Sequence, residues 1–385
     1  MRMVPLGKVA EIERDGISPE QIRSGTPYLG LEHIESGGRI LSREPVGKGE
    51  LASTKFRFGP DHVLYGKLRP YLAKIAMPDF EGICSTDIVP VRPGPDLDKR
   101  FLAYFLRQPS MVAFANSLAT GANLPRLSPK ALAEFQIPLP PLPEQKRIAA
   151  ILDQADEMRR LRRKSLTRIS ELNHAIFVEM FGDPVANSKG WKNIKLGSLC
   201  DVGSSKRVFV SEFVEQGIPF YRGTEVGKLG VGEPFQPSLH IGRDHYESLV
   251  RHSGKPEIGD LLLPSICHDG RIWRVDTDQP FYFKDGRVLW IKCQGSQIDG
   301  EFLRSQLQEL FLRNYHAIAS GTTFAELKII NLKKLSLLLP PIELQVEFAR
   351  RIRGLQTVRD ESEDALGKSE LLFASLQHRA FRGEL

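Results

Sequence analysis

PEQKRIAAILDQADEMRRLRRKSLTRISELNHAIFVEMFG, residues 143–182, decides the fold. Its apolar side chains recur at Ile148, Leu152, Ala155, Leu166, Ile169, Ile176 and Met180. The gaps are threes, fours or their sums, which is the seam of a coiled coil rather than the broad face of a surface helix. Pro143 suits a first helical turn, where its missing N–H costs nothing, and Glu144 there complements the helix dipole. Gly182 and Pro184 stop the helix. At about 1.5 Å per residue the stretch predicts a rod of roughly 60 Å. A lone rod with one apolar seam is unstable in water, so it needs a partner helix.

The partner begins two hundred residues on, at LPPIELQVEFARRIRGLQTVRDESEDALGKSELLFASLQHRAFRGEL, residues 339–385. Its seam is Phe348, Ile352, Leu355, Leu366, Phe373, Leu376 and Ala380, so that Leu152 matches Ile352, Leu166 matches Leu366 and Phe181 matches Phe381. Gly354 and Gly367 each cost about 1 kcal/mol against Ala inside a helix, which predicts a softer second rod.

The repeat extends beyond the rods. VPLGKVAEI (4–12) pairs with IKLGSLCDV (194–202), TPYLGLEHI (26–34) with IPFYRGTEV (218–226), and FLAYFL (101–106) with FLRSQL (302–307). The loop before each rod repeats as well, TGANL at 120–124 against SGTTF at 320–324. A period near two hundred means tandem domains. Short strands broken by Gly and Pro, followed by apolar helices, do not alternate cleanly, so the expected class is α+β. The expected layout is a globular domain at 1–142, a spacer helix at 143–182, a second domain at 183–342 and a second spacer helix at 343–385. The chain path favours antiparallel pairing of the two rods, with the domains related by a pseudo-two-fold.

The chain has 385 residues and a formal net charge of +6. That length suits two or three domains, and the mild basic excess permits nucleic-acid binding without demanding it. Four scattered cysteines, with no CxxC pair, argue against a zinc site and fit reduced thiols. No apolar run is long enough to cross a bilayer and the start shows no signal-peptide core, so a cytoplasmic chain is expected. GxGxxG, HExxH and GxSxG are absent, and no cofactor is expected. Gly367-Lys368-Ser369 lacks the earlier glycine of a P-loop and lies in a helical pattern. Two similar heads on a ruler, with no evident reaction, suit recognition of a two-part target.

The junction TGANLPRLSPKALAEFQIPLPPLPEQKRIAAIL, the segment DHVLYGKLRPYLAKIA (61–76), the FVEMFGD exit at 177–183 and the second copy ending RAFRGEL together resemble the DNA-specificity subunits of type I restriction–modification enzymes. The resemblance covers essentially the whole chain. It implies two target-recognition domains, each meeting half of a split site in double-stranded DNA, and helices that also dock two methyltransferase subunits. Restriction subunits with a translocase join that core, and the specificity subunit carries no catalytic residue. The second half departs from the pattern, with LLPSICHDGRIWRV (262–275) where the first has LYGKLRPYLAK.

With that resemblance, Tyr65, Lys67, Arg69 and Lys74 become candidate DNA contacts in the first head. Cations two apart on an extended segment would share a face and could meet phosphates or a guanine edge. A solvated edge strand is the alternative. Arg271 and Arg274 hold the comparable place in the second head. Thr120, Asn123 and Arg126 in one glycine loop, and Thr322 and Thr323 in the other, could offer hydroxyl and N–H donors to phosphate. Otherwise those loops are tight turns. Arg222, between Tyr221 and Thr224, is a weaker candidate. Arg159, Arg160, Arg162 and Arg163 form the densest positive run, either a solvated helix flank, a phosphate contact between half-sites or a dock for an acidic partner. The competing readings are a coiled-coil scaffold and a nuclease or methyltransferase whose motifs are unrecognised.

Overall fold

The computed structural model describes residues 2–385 except Lys48, 294–296 and 322–324. Two long helices dominate it, Leu142–Phe181 and Ile342–Arg382. The second runs unbroken through Gly354 and Gly367. The chain divides into two compact units, 1–164 with 364–385, and 165–363. Each unit therefore holds one globular head together with half of each long helix. This differs from the expected layout, in which the rods stand apart from the heads.

The two heads share one plan. In the first, Met3–Pro5 pairs antiparallel with Gln136–Pro138. An antiparallel sheet follows in the order Ala10–Ile12, Ile88–Pro93, Val63–Gly66, Ile75–Ala76. In the second, Lys192–Lys195 pairs with Ser336–Leu339. Its matching sheet runs Asp201–Gly203, Val288–Lys292, Leu261–Pro264, Trp273–Arg274. Each head adds a second, mixed sheet with one parallel pair, Pro27–Leu29 beside Gly82–Cys84 and Ile218–Tyr221 beside Tyr282–Phe283. The central strands, VLYG and LLLP, are buried along their whole length. Strands covered on both faces read as continuous apolar runs, as these do.

The glutamine after each proline-rich turn fixes where a long helix starts. Gln145 and Gln345 are both fully buried. Gln145 Oε1 accepts the Asp98 N–H at 2.9 Å, and its Nε2 donates to Asp96 O at 2.8 Å and Pro140 O at 2.9 Å. Gln345 repeats this on Asp299 N–H (2.9 Å), Gln297 O (3.2 Å) and Pro340 O (2.8 Å). Asp98 and Asp299 in turn cap the helices Lys99–Leu106 and Gly300–Ile318 by accepting two backbone N–H groups each. One amide thus ties the end of the proline turn to the start of an inner helix.

The long helices pack antiparallel in each unit. In the first, Ile148, Leu152 and Ala155 share a core with Phe373 and Ala380. Arg159 lies over the Phe373 ring at 3.6 Å, and Phe381 meets Phe101 at 5.0 Å between centroids. In the second, Phe177 and Phe181 share a core with Phe348 and Ile352. Phe181 meets Phe302 at 4.7 Å and Phe348 at 5.4 Å. No helix among the described residues is long and apolar enough to cross a membrane.

Candidate nucleic-acid interface

In the first head the candidates on two separate loops come together. Strand Val63–Gly66 ends at its glycine, and the chain turns through Leu68, which bridges to Arg126. The Leu127 N–H donates to Lys67 O at 2.9 Å and the Arg69 N–H donates to Pro125 O at 2.7 Å. The glycine loop is closed on itself by the antiparallel bridge of Thr120 with Arg126. Gly121 sits there at φ +112°, a conformation that a side chain would strain. Arg69, Thr120, Asn123 and Arg126 are exposed and Lys67 is half-buried. The side chains of Lys67, Arg69, Thr120 and Asn123 make no hydrogen bond or ion pair among the described residues. They form one patch of uncommitted donors.

Several expectations are corrected here. Lys67 and Arg69 do not lie on an extended strand. Arg69 and Ala73 both adopt left-handed backbone, at φ +52° and +47°, flanking the short turn Pro70–Leu72. Non-glycine residues in that region carry strain and cluster at functional sites. Tyr65 points inward: it is 3 % exposed, and burial raises its hydroxyl pKa well above the usual range. It is a core residue, because the strand carrying it is covered on both faces. Lys74 spends its ammonium on the Leu31 carbonyl at 2.7 Å.

In the second head the candidates are dispersed. Arg222 is engaged with Glu225 through Nη2 at 2.6 Å and Nε at 3.2 Å, and Thr224 Oγ1 donates to the same carboxylate at 3.0 Å. Burial works against ionisation of Glu225, but these hydrogen bonds and those from backbone N–H groups hold its pKa down at about 2. Arg271 pairs with Asp269 at 2.5 Å and lies against Gly227. Arg274 lies in strand Trp273–Arg274, its guanidinium against Gly259. Thr322 and Thr323 lie outside the described residues.

The basic run on the central helix is not a free positive surface. Arg159 is 17 % exposed and pairs with Asp156 and with Glu370 of the facing helix, 3.0 Å from the latter. Arg160 pairs with Glu157 and Arg163 with Glu370. Arg162 is half-buried, and its Nε finds no hydrogen-bond partner among the described residues. In the other unit Arg359 pairs along its own helix with Glu363 at 2.8 Å, because the residue matching Glu370 is Ser170.

Two ion pairs at the glycine loops escaped the sequence reading. Arg126 donates to Asp87 from Nε at 2.9 Å and Nη2 at 3.3 Å. In the second head Arg287 pairs with Glu326. The sequence held a signal for both, since 87 and 287, and 126 and 326, stand at the same offset as the rods. The signs are exchanged, so similarity alone did not reveal them.

Two like-folded heads, each with a glycine loop bridged at its base beside a central sheet, define a tandem-domain protein. Residues 2–171 match the family described as the type I restriction modification DNA specificity domain. The chain is 25% identical over 370 residues to the type I restriction enzyme MjaVIII specificity subunit of Methanocaldococcus jannaschii, covering 88% of this chain and 81% of that one. To the EcoDI specificity subunit of Escherichia coli it is 30% identical over 161 residues, 40% of this chain and only 36% of that one. In fold, it resembles the type I restriction-modification system S subunit from M. genitalium, with a TM-score of 0.61 at 16% identity over 99% of this chain and 96% of that one. A chain from a structure concerning complex assembly and conformational transition of the type I R-M system gives 0.60 at 21% identity over 100% and 98%. Residues 2–171 thus match the DNA specificity domain of type I restriction–modification enzymes, and over 88% of its length the chain is similar to a type I specificity subunit.

Proposed function

We propose that this chain is the sequence-reading subunit of a type I restriction–modification complex. Each head meets one half of an asymmetric, bipartite site in duplex DNA, and the paired helices set the gap between the halves. The chain performs no reaction itself. It docks two methyltransferase subunits, which restriction and translocase subunits join. The observation that carries the reading is the patch of Lys67, Arg69, Thr120 and Asn123. It gathers uncommitted donors from two loops just beyond the end of a buried central strand, as contact with phosphates and base edges requires. The heads differ in their surface side chains over a common plan, so the half-sites differ too.

The test is to express the chain with its methyltransferase partner and sequence the methylated sites. If Arg69 pairs with a guanine, Arg69→Ala costs roughly 1–3 kcal/mol and relaxes one position of one half-site. An unaltered site, or relaxation in both halves, counts against the assignment. The purified chain alone should transfer no methyl group to DNA, and robust transfer by it would overturn the non-catalytic role.

A further inference from the structure

We propose that Asp87–Arg126 and Arg287–Glu326 are one clip with its charges exchanged, and that it sets the pose of the loop each head turns toward DNA. The inference rests on the DNA-recognition reading above. Both members of the clip occur at the same offset in the two copies. In each head the loop closes through one antiparallel bridge, Thr120 with Arg126 or Ser320 with Glu326. A glycine follows the first bridge residue at φ +112° or +109°. The residue after the bridge then donates its N–H to the turn beyond the buried central strand, Leu127 to Lys67 O at 2.9 Å and Leu327 to Ser265 O at 2.7 Å. The clip adds a second tie, from the last bridge residue to the turn that leads into Ile88–Pro93 or Val288–Lys292.

The reversal of sign decides the role. If position 126 served as a phosphate contact in both heads, its counterpart would have to be a cation, and it is Glu326. What both heads keep is the attraction, not the charge. The pairs are half-exposed, at 43% and 24% for Arg126 and Asp87 and at 56% and 34% for Arg287 and Glu326. Such pairs contribute little to global stability. Their use is local: in the first head the pair holds one end of the loop that carries Thr120 and Asn123. Arg126 and Glu326 are then positioning residues rather than readers.

The full chain, assembled with its methyltransferase partner, is assayed on a duplex carrying the wild type's mapped site. Asp87→Arg and Arg126→Asp are each expected to weaken binding roughly tenfold, and the double exchange to return it to within about threefold. Arg287→Glu, Glu326→Arg and their double variant should behave alike. Thermal midpoints should stay at the wild-type value throughout, which separates loop pose from folding. Single variants that bind as wild type does, or doubles no better than the singles, overturn the clip. A wild-type complex that marks no DNA sequence overturns the recognition reading and the clip with it.

Discussion

At the scale of single residues, the buried amides and one buried carboxylate carry the sharpest consequences. Gln145 is fully buried and satisfies one N–H and two carbonyls. Gln145→Leu keeps the volume but strands those groups, and each stranded group costs about 1–3 kcal/mol. Both Gln145→Leu and Gln345→Leu should therefore lower stability by at least about 2 kcal/mol in urea titrations, and a loss below about 0.5 kcal/mol would show the amides are replaceable. Glu225, 11% exposed, titrates at about 2 in the folded chain against an ordinary 4.5. A depressed carboxylate contributes stability that is fully present above about pH 4.5 and lost as the pH falls toward 2, here at most about 3 kcal/mol. Glu225→Gln should flatten the acid limb of the stability profile in that window, and an unchanged limb would place the acid sensitivity elsewhere.

At the scale of elements, the long helices show what a sequence discloses and what it conceals. Their seam was legible because a 3.5-residue apolar repeat has few other physical causes. Ile148, Leu152, Phe348 and Ala380 are buried as that repeat requires. Phe177 was missed, since the helix end is covered on two sides by Phe302 and Phe348 and no longer shows a narrow seam. The candidate site was less legible. Nothing in KLRPYLAK announces two left-handed residues at Arg69 and Ala73, and Tyr65 looks amphipathic until the sheet covers both its faces. The matched pair Phe181 and Phe381 tests the packing. Phe181 is fully buried, whereas Phe381 is half-buried. Phe181→Ala should cost about 3–5 kcal/mol and Phe381→Ala distinctly less. Hydrogen exchange should report each loss in its own unit, and equal losses would contradict the packing described.

At the scale of the whole molecule, the division of the long helices matters most. The central helix gives residues through Lys164 to one compact unit and those from Ser165 to the other, while the C-terminal helix divides between Glu363 and Asp364. The packed ends, around Phe101 with Phe381 and Phe302 with Phe181, lie far along the chain from those dividing points. The middle of each helix can therefore be shortened without cutting into a head. Removing residues 161–167 and 361–367 together takes out one heptad from each helix, so the apolar seam keeps its phase. Each helix then loses about 10 Å, equivalent to about three base pairs at ~3.4 Å each. If the paired helices set the gap, the methylated sites of this double deletion should keep both half-sites and separate them by about three fewer base pairs. Sequencing the methylated sites decides it. Intact half-sites at the wild-type spacing would mean that the helices hold the units without measuring the DNA.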